Sequence, residues 1–112
     1  MDDDPEFRRL AARVLAGSGL IVVGEADSVA AALAAAGRFE PSGVLIDVEL
    51  PDGDGVELAR ELAALPWHPR IVLTSINGDI TTIEEARRAG ARAFVHKADL
   101  LNAPLAQLLG DD

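Results

Sequence analysis

The chain has 112 residues, 49% of them hydrophobic, and a formal net charge of −9, which suits one domain with a core that needs no cross-links. That charge opposes a phosphate backbone, and the ten Lys and Arg residues are scattered rather than striped, so direct nucleic-acid binding is not expected. The absence of cysteine excludes thiol catalysis, thiolate metal sites and disulfides and suits a reducing, cytoplasmic setting; no signal peptide or membrane span is read in the sequence.

In chain order, Asp4 caps a first helix with Pro5 at its first position. Phe7, Leu10, Ala11, Val14 and Leu15 recur on one face until Gly17 and Gly19 stop it. Leu20-Ile21-Val22-Val23 reads as a buried strand. Ser28 caps an Ala-rich helix to Ala36, which Gly37 closes. Gly43 to Asp47 is the next strand, and a helix from about Gly55 to Leu65 carries Val56, Leu58, Ala59 and Leu62 before Pro66-Trp67-His68-Pro69 breaks the pattern. Arg70 to Thr74 is a strand. Thr81 with Glu84, or Thr82 with Glu85, forms a capping box opening a helix that Gly90 ends. Ala93 to Lys97 is the last strand, and Asp99 caps a closing helix from Leu100 to Leu109. Short strands, apolar on both faces and separated by helices, demand a parallel sheet covered on both sides, with residues 1–112 forming one domain.

Asp47 ends the apolar run Val44-Leu45-Ile46 and is followed by the turn-rich segment Val48 to Gly55. This places one carboxylate at the C-terminal end of a strand, where open α/β sheets bind ligands. Asp2-Asp3-Asp4, Thr74-Ser75 and Lys97 point to the same edge. Carboxylates, a hydroxyl and an ammonium together suit phosphoryl chemistry. Two carboxylates about 4 Å apart repel by roughly 4 kcal/mol at an effective dielectric near 20; a hard divalent cation such as Mg²⁺, held by Asp3 and Asp47, removes that conflict. Asp47 can then attack phosphorus, Lys97 can pair with the phosphoryl group, and the Thr74 hydroxyl can donate to one of its oxygens.

Together these residues resemble the receiver domain of two-component response regulators, over nearly the whole chain. Leu50-Pro51-Asp52-Gly53-Asp54-Gly55 is similar to the loop after the family's phosphoacceptor, and Ala89-Gly90-Ala91-Arg92-Ala93-Phe94 to its turn into the last strand. The resemblance implies a flavodoxin-like, doubly wound (βα)5 fold. It implies Asp47 as phosphoacceptor and Mg²⁺ held by Asp2, Asp3, Asp47 and the Glu49 backbone carbonyl. It also implies Thr74 and Phe94 as the switch pair, Lys97 as the family's lysine, and Glu49 and Ile76 flanking the path of the hydrolytic water. The phosphoryl group would come from a sensor histidine kinase or phosphotransfer protein and be hydrolysed in place, with no turnover of a separate substrate. A downstream protein partner or an effector domain would read the switch on the last two helices and final strand, where two copies could also pair. The alternative is a receiver-like interaction module that works without phosphorylation. An aspartyl-nucleophile phosphatase is disfavoured, because Glu49 stands where that class has a second Asp and no cap domain fits.

The chain departs from the family pattern in two places. The family has an apolar strand ahead of its acidic pair, and here only Met1 precedes Asp2. That central strand is expected to be missing, leaving a slot of roughly 10 Å between Leu20–Val23 and Val44–Asp47; either a preceding segment or a partner chain fills it, or the chain is a degenerate receiver that folds poorly. Ala98 replaces the Pro that often follows the lysine, so a trans bond is expected. His96 should face away from Lys97 by strand alternation, His68 is read as a loop residue, and Gly17-Ser18-Gly19 as a turn.

Overall fold

The computed structural model describes residues 1–110. Its first helix, α1 (Pro5–Gly17), starts where the Asp4 carboxylate accepts from the Glu6 amide at 3.0 Å, with Pro5 at the position that needs no donor. Then come α2 (Val29–Phe39), β1 (Gly43–Asp47), a small hairpin of β2 (Glu49–Leu50) and β3 (Gly53–Asp54), α3 (Gly55–Ala63), β4 (Arg70–Ser75), α4 (Ile80–Arg88), β5 (Ala93–His96), a 3-10 turn (Lys97–Asn102) and α5 (Leu105–Leu109). The strands β1, β4 and β5 pair in parallel in the order β1-β4-β5. Side chains alternate across this sheet. Val44, Ile46, Ile71 and Leu73 pack under α2, α3 and α4, while Leu45 and Val72 pack under α1 and α5 with Ala11, Leu105 and Leu109. Helices on both faces explain why the strand sequences are apolar without alternation. The architecture is the flavodoxin-like one expected. Among the described residues no helix is long and apolar enough to cross a membrane.

The expected strand Leu20–Val23 does not form. Residues 20–26 carry no regular structure, and Ile21 is 88% exposed. A strand exists only through a neighbour's hydrogen bonds, and on that side the described residues supply only Met1 and Asp2. The Met1 amino group donates to Leu45 O at 2.7 Å, Met1 O accepts from the Asp47 amide at 2.9 Å, and the Asp2 amide donates to Ala26 O at 2.9 Å. Below this stub lies the expected slot, a groove of about 520 Å³ lined by Leu15, Leu20, Val22, Ala36, Val44 and Leu45 among others.

Four helix boundaries also differ from expectation. Gly37 lies inside α2, which closes instead at Glu40, in the left-handed region at φ 44°, with its amide on Ala36 O. The helix after Asp54 stops at Ala63 rather than Leu65. Asp79, not Thr81 or Thr82, caps α4: its carboxylate accepts from the Thr82 amide at 2.9 Å and the Thr82 hydroxyl at 3.1 Å. Asp99 does not cap a continuous closing helix, because Pro104, which has no amide to donate, separates the 3-10 turn from α5. The bond after Lys97 is trans.

The β2–β3 hairpin, too short for any periodic signal, carries a long-range cap. Asp52 at its turn accepts from the Val29 amide at 2.7 Å and the Ala30 amide at 3.1 Å, closing the N-terminus of α2. These bonds, Val29 first, hold the Asp52 carboxyl below its ordinary value of 3.8. A group whose folded pKa is depressed stabilises the fold above its unfolded pKa and loses that contribution as pH falls through the folded value. Asp52→Ala should therefore lower Tm near neutrality, with the gap to wild type closing on strong acidification in circular-dichroism melts. A gap that persists through the acid range would exclude the cap as its origin.

Candidate functional site

The parallel register brings the chemistry to one edge. Asp47 ends β1 opposite Thr74 of β4, Thr74 stands opposite Val95 of β5, and Lys97 follows two residues later. Parallel partners point to the same face, so Asp47, Thr74 and Lys97 share a rim, to which the Met1-Asp2 stub adds its acids. Lys97 Nζ lies 2.7 Å from Asp2 Oδ2 and 3.3 Å from Asp47 Oδ2. Asp47 Oδ1 accepts from the Glu49 amide at 3.1 Å, and Asp2 Oδ1 from the Asp4 amide at 2.9 Å.

Asp2 and Asp47 are buried and Asp3 is exposed, and each offers an oxygen within 4.8 Å of the others. Asp2 Oδ2 is buried with the Lys97 charge beside it at 2.7 Å but, among the described residues, no well-aligned donor. Three acids facing one ammonium, one of them with an oxygen lacking a directional partner, are a donor set that fits a hard divalent cation. Burial raises the Asp47 carboxyl above its ordinary range; the Glu49 amide opposes this, the Asp2 charge adds to it, and Lys97 opposes it. Desolvation works against the Lys97 charge, yet Asp2 and Asp47 together hold that ammonium above its usual range.

Thr74 is fully buried, and among the described residues its hydroxyl reaches only Ile46 O, at a weak 3.4 Å. Ser75 instead closes a local turn, donating to Asn77 O at 2.9 Å. Phe94 lies on the other face of the sheet, edge-on to His96 with ring centroids 5.1 Å apart. His96 Nε2 is 3.1 Å from Gly78 O, and a Cβ on Gly78 would strike the Phe94 ring. His96 thus faces away from Lys97, as alternation requires. The Glu49 and Ile76 side chains are exposed. Gly55 turns the chain from the hairpin into α3 so close to β1 that a Cβ there would collide with the Asp47 carbonyl.

One contact was not legible in the sequence. Lys97 Nζ sits 4.3 Å from the centroid of the Phe7 ring. Helical periodicity marks Phe7 only as a core residue; its place in the first turn of α1, just after the acids, is the sole hint that it borders the site.

The chain matches the family described as "Response regulator receiver domain" over residues 1–103. It is 39% identical over 113 residues to the DNA-binding transcriptional activator DevR/DosR of Mycobacterium tuberculosis, covering 99% of this chain and 51% of that protein. It is 30% identical to the chemotaxis protein CheY of Bacillus subtilis, covering 85% and 80% of the two chains. Among solved structures, the signal receiver domain of the response regulator NarL from M. tuberculosis superposes with a TM-score of 0.84 at 32% identity, covering 98% of this chain and 93% of that one. The BeF3-activated receiver domain of Klebsiella pneumoniae RstA superposes equally well, at 30% identity over 98% and 95% of the chains. The chain spans about half the length of several of the curated relatives it matches.

Proposed function

Because this chain belongs to the response regulator receiver domain family, we propose that residues 1–112 act as one phosphoacceptor domain in which Asp47 takes the phosphoryl group. The observation that carries this reading is the buried Asp47 carboxylate, ringed by Asp2, Asp3 and Lys97 on the edge that the parallel register builds. The donor would be a phosphohistidine on a sensor kinase or phosphotransfer protein. An Asp47 oxygen attacks phosphorus, the phosphorus–nitrogen bond breaks, and the leaving imidazole keeps the electron pair and takes up a proton. Water later hydrolyses the acyl phosphate, between the exposed side chains of Glu49 and Ile76. The chain thus modifies itself and turns over no separate substrate.

Asp2, Asp3 and Asp47, with the Glu49 carbonyl, would hold Mg²⁺, which when bound supplies positive charge opposite the phosphoryl oxygens. Lys97 pairs with the transferred group, since ammonium and phosphoryl oxygens make charge-assisted bonds. The weakly held Thr74 hydroxyl turns towards the same oxygens, and Phe94 shifts with it. A change from 1:99 to 99:1 in the switch needs about 5.5 kcal/mol of differential interaction, a demand that a few such bonds meet. A protein partner or an effector domain on a longer regulator would read this switch on α4, β5 and α5.

Intact-mass spectrometry of the chain incubated with acetyl phosphate and Mg²⁺ tests this reading. A single phosphoryl adduct, mapping to the peptide that contains Asp47 and decaying with time, is expected. An adduct elsewhere, or none, would refute it.

A further inference from the structure

The Lys97 ammonium stands among three groups: the Asp2 carboxylate at 2.7 Å, the Asp47 carboxylate at 3.3 Å, and the face of the Phe7 ring with its centroid at 4.3 Å. Phe7 is anchored. It belongs to the face of α1 that packs with Ala11, Val14 and Leu15 against Leu45 and Val72, so its ring is presented by a helix seated on the core. An aromatic face attracts a cation through its quadrupole, and the attraction is strongest where water is excluded. Here the Lys97 side chain is only 13% exposed.

The three groups differ in what phosphoryl transfer does to them. A divalent cation held by the acids would draw on the charge of Asp2 and Asp47, and the acyl phosphate would take an Asp47 oxygen into a covalent bond. Both carboxylates thus weaken as partners of Lys97 when the ammonium is needed beside the incoming group. The ring changes in neither event. A lysine head on its flexible four-carbon stem would otherwise be free to leave towards water.

We propose that Phe7 is a positioning residue that holds the Lys97 ammonium at the Asp47 edge through its ring face while the carboxylates engage a cation and the phosphoryl group. This rests on the phosphoacceptor reading of Asp47 and adds a role for α1. Leu at position 7 would keep most of the apolar packing without the quadrupole, Trp would keep both, and ring fluorination would weaken the quadrupole with little change of shape.

The experiment compares wild type, Phe7→Leu, Phe7→Trp and a series with increasingly fluorinated phenylalanine at position 7, following labelling by acetyl phosphate with Mg²⁺. NMR of the metal-free proteins provides a second readout, the ring-current shift of the Lys97 ε-methylene protons. Labelling should slow stepwise along the fluorinated series and by about three- to tenfold in Phe7→Leu, while Phe7→Trp stays near wild type. The ring-current shift should vanish in Phe7→Leu and remain in Phe7→Trp. Should the Leu variant fold poorly, the near-isosteric fluorinated series decides alone. A labelling rate indifferent to fluorination, or Phe7→Trp as slow as Phe7→Leu, overturns the role of the ring and leaves Asp47 as phosphoacceptor. A wild-type chain that takes no phosphoryl group overturns both.

Discussion

Asp47→Asn should leave the chain unlabelled by acetyl phosphate and Mg²⁺ at any time of incubation, the adduct falling to background in intact-mass spectra. The amide has no anionic oxygen with which to attack phosphorus, and it removes one carboxylate from the trio whose oxygens lie within 4.8 Å of one another, so the cation site should weaken as well. The substitution should cost little in folding. Burial and the neighbouring Asp2 charge already disfavour the Asp47 anion, and Lys97 keeps its shorter contact, to Asp2 at 2.7 Å. The expected signature is therefore a folded protein, melting at or above the wild-type temperature, that neither labels nor gains thermal stability from Mg²⁺. Undiminished labelling of this variant would remove Asp47 from the role.

Five or six aliphatic residues placed ahead of Met1 should raise Tm by roughly 10 °C or more, at the few degrees per kcal/mol usual for a domain of this size. Met1 bonds to Leu45 O and the Asp47 amide, the pattern of a residue opposite Ile46 in a parallel ladder. Continued in the same register, the added strand would meet the Leu45 amide and Gly43 carbonyl on that edge and fill the 520 Å³ groove. Four or five buried aliphatic side chains stabilise by about 1.5 to 3 kcal/mol each as an upper bound, a sum on the scale of the roughly 5 to 15 kcal/mol that holds a domain together. The extension would also turn the Met1 ammonium into an amide. Desolvation by burial pushes that amino group down to about 6, so its charge is costly where it stands. In hydrogen exchange, amides of Leu20–Val23 should gain protection as that segment acquires a neighbour. A Gly-Ser extension of equal length is the control, and equal melting of all three chains would show that the groove needs no strand.

Most of the local structure was legible because its causes are local. Asp4 and Ser28 cap the helices that follow them, the first with Pro5 in its opening turn, and the sheet strands from Gly43 and from Arg70 begin where the apolar runs do. Boundaries slipped where two signals competed within a few residues. Asp79 stood beside Thr81 and Thr82 as a capping candidate, and Pro104 interrupted what periodicity read as one closing helix.

Of the site, the sequence by itself determined the cast: a carboxylate at the end of an apolar run, acids ahead of the first helix, a hydroxyl and an ammonium after two later strands. These are residue types at strand ends, and strand ends follow from short-range pattern. Only the tertiary structure decided that Leu20–Val23 stays out of the sheet, that Asp52 caps a helix more than twenty residues earlier in the chain, and that the Phe7 ring lies against Lys97. Each of these depends on what the rest of the chain brings alongside, a hydrogen-bonding edge, an open helix end or a cation. No window of sequence around the residue itself contains that partner.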